Sequence, residues 1–158
     1  MEVILAEKAG FCFGVQRAIN TAFKAAGEGR VYCLGPIIHN PQEVARLKEA
    51  GVETIEDFSS LQPGDSLIIR SHGVPPTVLT KAREQGLTII DLTCPFVAKA
   101  QQHAEMLKKE GYQIVVVGEK KLPEVQSILG HAGENSIVVE TPEDMGQIQF
   151  QSRLGVVA

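Results

Sequence analysis

The strongest constraint on this chain is a repeated alternation. A short run of β-branched and aliphatic residues is followed by a turn bearing Gly or Pro, and then by a stretch with apolar residues at helical spacing. "EVILA" (2–6) reads as a strand, and Phe11, Val15, Ala18, Ile19, Ala22 and Phe23 then fall at helical intervals. "VYCL" (31–34) reads as a second strand. Asn40, Pro41 and Glu43 form a capping-box signature with proline at the first helical position, so a helix is expected from about 41 to Gly51. "SLIIR" (66–70), a helix from Pro75 or Pro76 to about Gln85, "LTII" (87–90) and a long helix over about 96–110 come next in order. "YQIVVVG" (112–118) is almost wholly apolar, as a buried parallel strand should be. A helix over 123–129, a strand at "SIVVE" (136–140), a short helix in "TPEDMGQI" capped by Thr141, and a strand at "LGVVA" complete the pattern. Strands alternating with helices imply an α/β fold of small parallel sheets flanked by helices.

Composition narrows the function. The net charge of −4 on 158 residues gives no support for nucleic-acid binding. No apolar run approaches the roughly 18 residues that span a bilayer. The start "MEVILAEK" carries an acid at position 2 and no cationic segment. A cytoplasmic protein is therefore expected, with no membrane or nucleic-acid partner. Three cysteines, an odd number, argue against a disulfide framework and leave metal or redox chemistry open. The chain closes at Ala158 inside an apolar β-run, which leads to the expectation that it is truncated. Oligomeric state is not legible.

In open α/β sheets, ligands bind beyond the carboxyl ends of the strands. Cys12 comes after the first expected strand, His39 after the second, His72 after the third, Cys94 after the fourth and Glu124 after the fifth. All five are candidates for one rim. Each also has a plainer explanation. A cysteine is often a small buried hydrophobe, as Cys33 inside its strand is expected to be. A histidine beside an N-cap can serve only local hydrogen bonds, and Glu124 at a helix start suits the helix dipole. His103 is expected to face solvent, and His131 to sit at a helix end. Two thiols and two imidazoles fit zinc as a Cys2His2 set, although the usual paired spacing is absent. They equally fit an iron–sulfur arrangement, in which thiolates hold iron and the histidines sit over an anion. The pattern alone leaves both open.

The stretches "GFCFGVQRAI", "GPIIHNPQEV", "RSHGV", "DLTCPFV" and "PEVQSILGHAGE" resemble, in order and spacing, the 4-hydroxy-3-methylbut-2-enyl diphosphate reductases of the non-mevalonate isoprenoid pathway. The resemblance implies three similar α/β units around a cavity and a 4Fe-4S cluster held by three cysteines. Cys12 and Cys94 match two of those metal ligands. His39 and His72 match residues that bind the substrate diphosphate, and Glu124 matches the catalytic proton donor. The implied reaction is a two-electron reductive dehydroxylation of an allylic diphosphate to isopentenyl and dimethylallyl diphosphate. Ferredoxin or flavodoxin would be the electron donor.

Two positions depart from the family's pattern. Leu122 stands where the family usually has the histidine of "HPEV", and Ser127 where it usually has glycine. The third cysteine belongs to later sequence that this chain lacks, and Cys33 does not match it. The expected organisation is a first α/β unit over 1–94 and an incomplete second over 95–158, with residues 1–11 as candidates for packing with an absent third unit. Alone, the chain is expected to be inactive. The alternatives are a non-catalytic relic, a diphosphate-binding module, or the Cys2His2 zinc protein.

Overall fold

The computed structural model describes residues 1–7, 9–149 and 153–158. It contains two parallel sheets. The first is ordered β2-β1-β3-β4, from β1 (Val31–Leu34), β2 (Val52–Ile55), β3 (Ser66–Ile69) and β4 (Thr88–Asp91). The second is ordered β6-β5-β7, from β5 (Gln113–Val117), β6 (Ile137–Val139) and β7 (Leu154–Val157). Helices α1 (Phe13–Ala26), α2 (Pro41–Glu49), α3 (Pro76–Glu84), α4 (Pro95–Lys109) and α5 (Pro123–Ala132) link and flank them, and a 3-10 turn spans Pro142–Gln147. Among the described residues no helix is long and apolar enough to cross a membrane.

The arrangement arises from local sequence. α2 to α5 all begin with proline, whose missing N–H falls where a helix has no use for it. Asn40 caps α2 as expected, its Oδ1 accepting from the N–H groups of Gln42 (3.1 Å) and Glu43 (3.2 Å). Strand alternation sends Ile68 with Val31 and Cys33 against α1 and α2, and Leu67 with Ile69 against the α3 side, so the first sheet is buried on both faces. The second sheet packs Ile114, Val116 and Val157 under α4 and α5.

One order is used twice. Helix, central strand, helix, second strand and third strand run from α1 to β3 and again from α4 to β7, and in both sheets the third strand pairs on the opposite side of the central one. Cys12 is the N-cap of α1 and Cys94 the N-cap of α4, so the two cysteines hold the same place in this order.

The structure corrects the sequence reading in three places. Residues 2–6 are not a strand: Val3, Ile4 and Leu5 are 80%, 85% and 82% exposed and pair with nothing described. Their β-propensity is real, but a strand forms only against an edge, and no described edge meets them. The strand Val52–Ile55 was not anticipated, because Glu53 and Thr54 dilute its apolar signal at the sheet edge. The helix over 123–129 extends to Ala132, so His131 lies in its last turn and pairs with Glu105 of α4 at 2.6 Å.

Cys33 is buried inside β1, and burial pushes its thiol up to about 12, against a weaker pull from the Arg70 guanidinium. A thiolate is the nucleophile, and Cys33 will hold almost none near neutrality. Treatment with iodoacetamide at pH 8 is expected to modify exposed Cys12 and spare Cys33 until urea is added, as peptide mass spectrometry would show.

Candidate functional site

The site is built on the loops that leave β1, β3, β4 and β5 and on the first turn of α1. His39 leaves β1 and His72 leaves β3, adjacent parallel strands. Their rings come together, with centroids 5.0 Å apart and planes at 55°. Ser71 joins the two loops by donating to the Ile37 carbonyl at 3.4 Å. His39 is exposed and His72 half-buried, and Nδ1 of His72 is buried without a partner.

Burial chiefly lowers the proton affinity of His72, helped by the nearby positive charge of Arg70 and by His39; Glu124 opposes them. The opposing effect also places the Glu124 carboxylate within electrostatic reach of His72, although Glu124 starts α5 under the second sheet. His72 is expected to titrate below its ordinary 6.5 in the folded chain, which histidine-resolved NMR would measure. Between that depressed midpoint and 6.5 the unfolded chain binds more protons than the folded one. The His72 contribution to stability is therefore complete above 6.5 and is lost as pH falls through that window.

The Cys94 thiol lies against the first turn of α1, the helix that Cys12 caps. A Cβ placed on Gly14, in the first turn of α1, would lie 3.1 Å from Cys94 Sγ. Arg17, one turn further along α1, donates to the Thr93 carbonyl at 2.8 Å, and Cys94 N–H donates to the Ser71 carbonyl at 2.8 Å. These contacts hold the Cys94 turn against the start of the helix that Cys12 opens, and tie it to the loop carrying His72. Neither thiol makes a capping hydrogen bond, so both sulfurs are free to ligate. Two soft donors suit iron–sulfur or zinc chemistry. Among the described residues, however, no three of His, Cys, Asp and Glu converge on a single ion. Cys12, Cys94, His39 and His72 therefore do not assemble as a Cys2His2 set: the thiols belong to one part of the site and the paired imidazoles to another.

The single rim expected from five strand ends is corrected too. Cys12 follows no strand, and Glu124 follows a strand of the second sheet. The two sheets meet through residues 73–75. Gly73 has φ +70°, and a Cβ there would overlap Gln101 Nε2 and come within 2.9 Å of Ser127 Oγ. Gly130 of α5 lies against Pro75 in the same way, leaving 2.5 Å for a Cβ. Gln101 of α4 donates to Ser127 of α5 at 2.6 Å in a fully buried pair. This contact holds Cys94, on α4, and Glu124, on α5, in fixed relation around the His72–Gly73 turn.

Sequence reasoning missed Gln101, Arg17 and Arg70. Gln101 carried a signal only in combination: a polar residue on the apolar face of α4 needs a buried partner, and Ser127 supplies it. Leu122, the anomalous position, is the exposed N-cap of α5 and makes no cap hydrogen bond. His103 is exposed.

Comparison with known proteins agrees with this fold. The family described as "LytB protein" matches residues 3–158. The 4-hydroxy-3-methylbut-2-enyl diphosphate reductase of Geobacter sp. (strain M21) is 51% identical over 159 residues, taking in 100% of this chain and 56% of that protein. The reductase of the same name from Aquifex aeolicus (strain VF5) is 48% identical over 163 residues, again with 56% of its length covered. The solved structure of (E)-4-hydroxy-3-methyl-but-2-enyl diphosphate reductase, the terminal enzyme of the non-mevalonate pathway, superposes with a TM-score of 0.86 at 48% identity, covering 98% of this chain and 56% of that one. The Plasmodium falciparum E-1-hydroxy-2-methyl-but-2-enyl-4-diphosphate reductase gives 0.90 at 32% identity, covering 96% and 49%. The chain thus spans little more than half the length of the curated relatives it matches, with its sheets, paired histidines and apposed cysteine turns inside that half. It belongs to the LytB protein family.

Proposed function

We propose that this chain forms the larger part of a reductase that converts 4-hydroxy-3-methylbut-2-enyl diphosphate to isopentenyl and dimethylallyl diphosphate. The observation that carries this reading is the apposition of Cys94 Sγ to the first turn of the helix that Cys12 opens, beside the paired imidazoles of His39 and His72. The reaction consumes two electrons and two protons, releases the allylic hydroxyl as water and leaves a new C–H bond. Cys12 and Cys94 would supply two thiolates of a 4Fe-4S cluster, and the third would come from the part of the relatives' length that this chain does not span. When bound, the cluster supplies the electrons and a Lewis-acid position for the hydroxyl.

The remaining work falls to the chain's own side chains. The imidazoles of His39 and His72 hold the diphosphate, with His72 Nδ1 as an unpartnered polar atom available to it. Glu124, within electrostatic reach of His72, delivers a proton to the reacting carbon or the departing oxygen. The N-terminus of α1 points its unpaired N–H groups toward negative charge in the site. A soluble ferredoxin or flavodoxin would deliver the electrons, in the cytoplasm.

The test is a chimera joining this chain to the remaining part of the Geobacter relative, reconstituted anaerobically with iron and sulfide. Turnover of the allylic diphosphate with a chemical reductant is expected, with iron bound in a cluster. A chimera that folds and binds iron yet turns over nothing would refute the reading. Within the same chimera, Leu122→His is expected to raise turnover, because an imidazole at the start of α5 can donate to the diphosphate and an alkyl chain cannot. No gain on that substitution would favour the non-catalytic relic.

A further inference from the structure

Arg70 ends the stretch "SLIIR", two residues before His72, and sequence reasoning gave it no role. Its guanidinium lies beside Gly35, where a Cβ would meet Nη1 at 2.8 Å, Cζ at 3.1 Å and Nε at 3.5 Å. Gly35 opens the loop that carries His39, so Arg70 spans from the His72 loop to the His39 loop. Only a residue without a Cβ leaves the guanidinium that seat.

Among the described residues Arg70 forms no ion pair and no side-chain hydrogen bond. Its nitrogens are not among the buried unpartnered atoms, of which His72 Nδ1 is the sole member described. The guanidinium therefore keeps open donors facing accessible space. It is close enough to His72 to disfavour a second positive charge there. A half-buried arginine without a carboxylate, with His72 and its orphaned nitrogen in electrostatic reach, is a concentration of hydrogen-bond donors inside a chain whose net charge is −4.

We propose that Arg70 is a further ligand for the anion held by His39 and His72, its planar fork contacting a diphosphate oxygen from the Gly35 side. The inference rests on the reading of the histidine pair as a diphosphate site, and adds a residue to it. A guanidinium suits this place better than an ammonium, because two parallel N–H groups match two oxygens of one phosphoryl group. His72 near neutrality is mostly uncharged, since burial lowers its proton affinity. Arg70 would thus supply the charge, and the imidazoles directional hydrogen bonds.

The experiment titrates the 158-residue chain with inorganic diphosphate by calorimetry, and follows the His39 and His72 ring resonances by NMR. Arg70→Gln is expected to weaken binding at least about tenfold, the loss of one charge-assisted contact. Arg70→Lys is expected to fall between Gln and the parent, and His72→Ala to weaken binding independently. Urea unfolding of each variant separates a folding defect from a binding defect: Arg70→Lys keeps the charge, and a folded Lys variant with intermediate affinity supports the assignment. If Arg70→Gln binds as tightly as the parent while His72→Ala does not, the inference falls and the histidine reading stands. If Arg70→Gln alters only the alkylation rate of Cys12, the guanidinium serves the thiol side of the site and the inference is again overturned. If the parent chain binds no diphosphate at millimolar concentration, the histidine reading fails and takes the inference with it.

Discussion

Replacing Glu124 with glutamine in the reconstituted chimera is expected to lower turnover by about 10²–10⁴-fold, the usual worth of a positioned proton donor. Glutamine keeps the shape and the hydrogen-bonding reach of the side chain but has no carboxyl proton to give. Glu124 lies in the first turn of α5 and is half-buried, so the substitution changes little packing. The loss should appear in kcat more than in KM, because the groups proposed to hold the diphosphate are untouched. Iron content should stay at the parent level, since no thiol is touched. Turnover within tenfold of the parent would remove Glu124 from the chemistry and leave it as a residue that favours the helix dipole.

Gly73→Ala is expected to be the most damaging single substitution to folding near the site, costing about 2–5 kcal/mol. Two effects add. An alanine at φ +70° is strained by about 1–2 kcal/mol. Its Cβ must also displace Gln101 from Ser127, stranding polar groups in a buried place at about 1–3 kcal/mol. Gly111 provides the control: its φ is +77° but nothing lies within 4 Å of its Cβ position, so Gly111→Ala should cost the strain alone. Urea unfolding of the two variants separates the two effects. Equal costs would show that the Gln101–Ser127 contact yields easily, and that the junction between the sheets is softer than its geometry implies. A loss of about 2–5 kcal/mol is a large share of the about 5–15 kcal/mol that holds a typical domain.

The alternation of apolar runs with amphipathic stretches made most elements legible, because both periodicities come from side-chain direction along the backbone. Proline and asparagine marked the helix starts closely: Asn40, Pro41 and Pro123 stand where they were expected to, and α4 opens at Pro95, one residue before its expected start. The failures share one cause. Residues 2–6 have strand-forming side chains but meet no described partner edge, and Val52–Ile55 has weak side chains but is offered the edge of β1. Pairing is decided between segments distant in sequence, which a local window does not see.

The candidate site was legible to a similar depth. The pairing of His39 with His72 was reachable, since both loops leave parallel strands in a known direction, whereas the approach of Cys94 to the Cys12 turn was not, since no strand precedes Cys12. Two α/β units followed from the family resemblance, but from the residues alone the break between the sheets was not reachable, because nothing local says where one sheet stops. Nor was the buried contact between Gln101 and Ser127. Each looks ordinary by itself, one a helix glutamine and the other a helix serine. Only their meeting, against a glycine that leaves them room, gives either a role.

The doubled order of elements has a consequence for how such a centre is acquired. Each copy of the pattern brings one sulfur already seated at a helix entrance, together with the helix behind it. A multi-thiol centre can therefore grow by adding copies of an existing module, with no ligand invented anew. What selection must then refine is the angle at which neighbouring copies lean together, and in this molecule a glycine, a glutamine and a serine meet where they join.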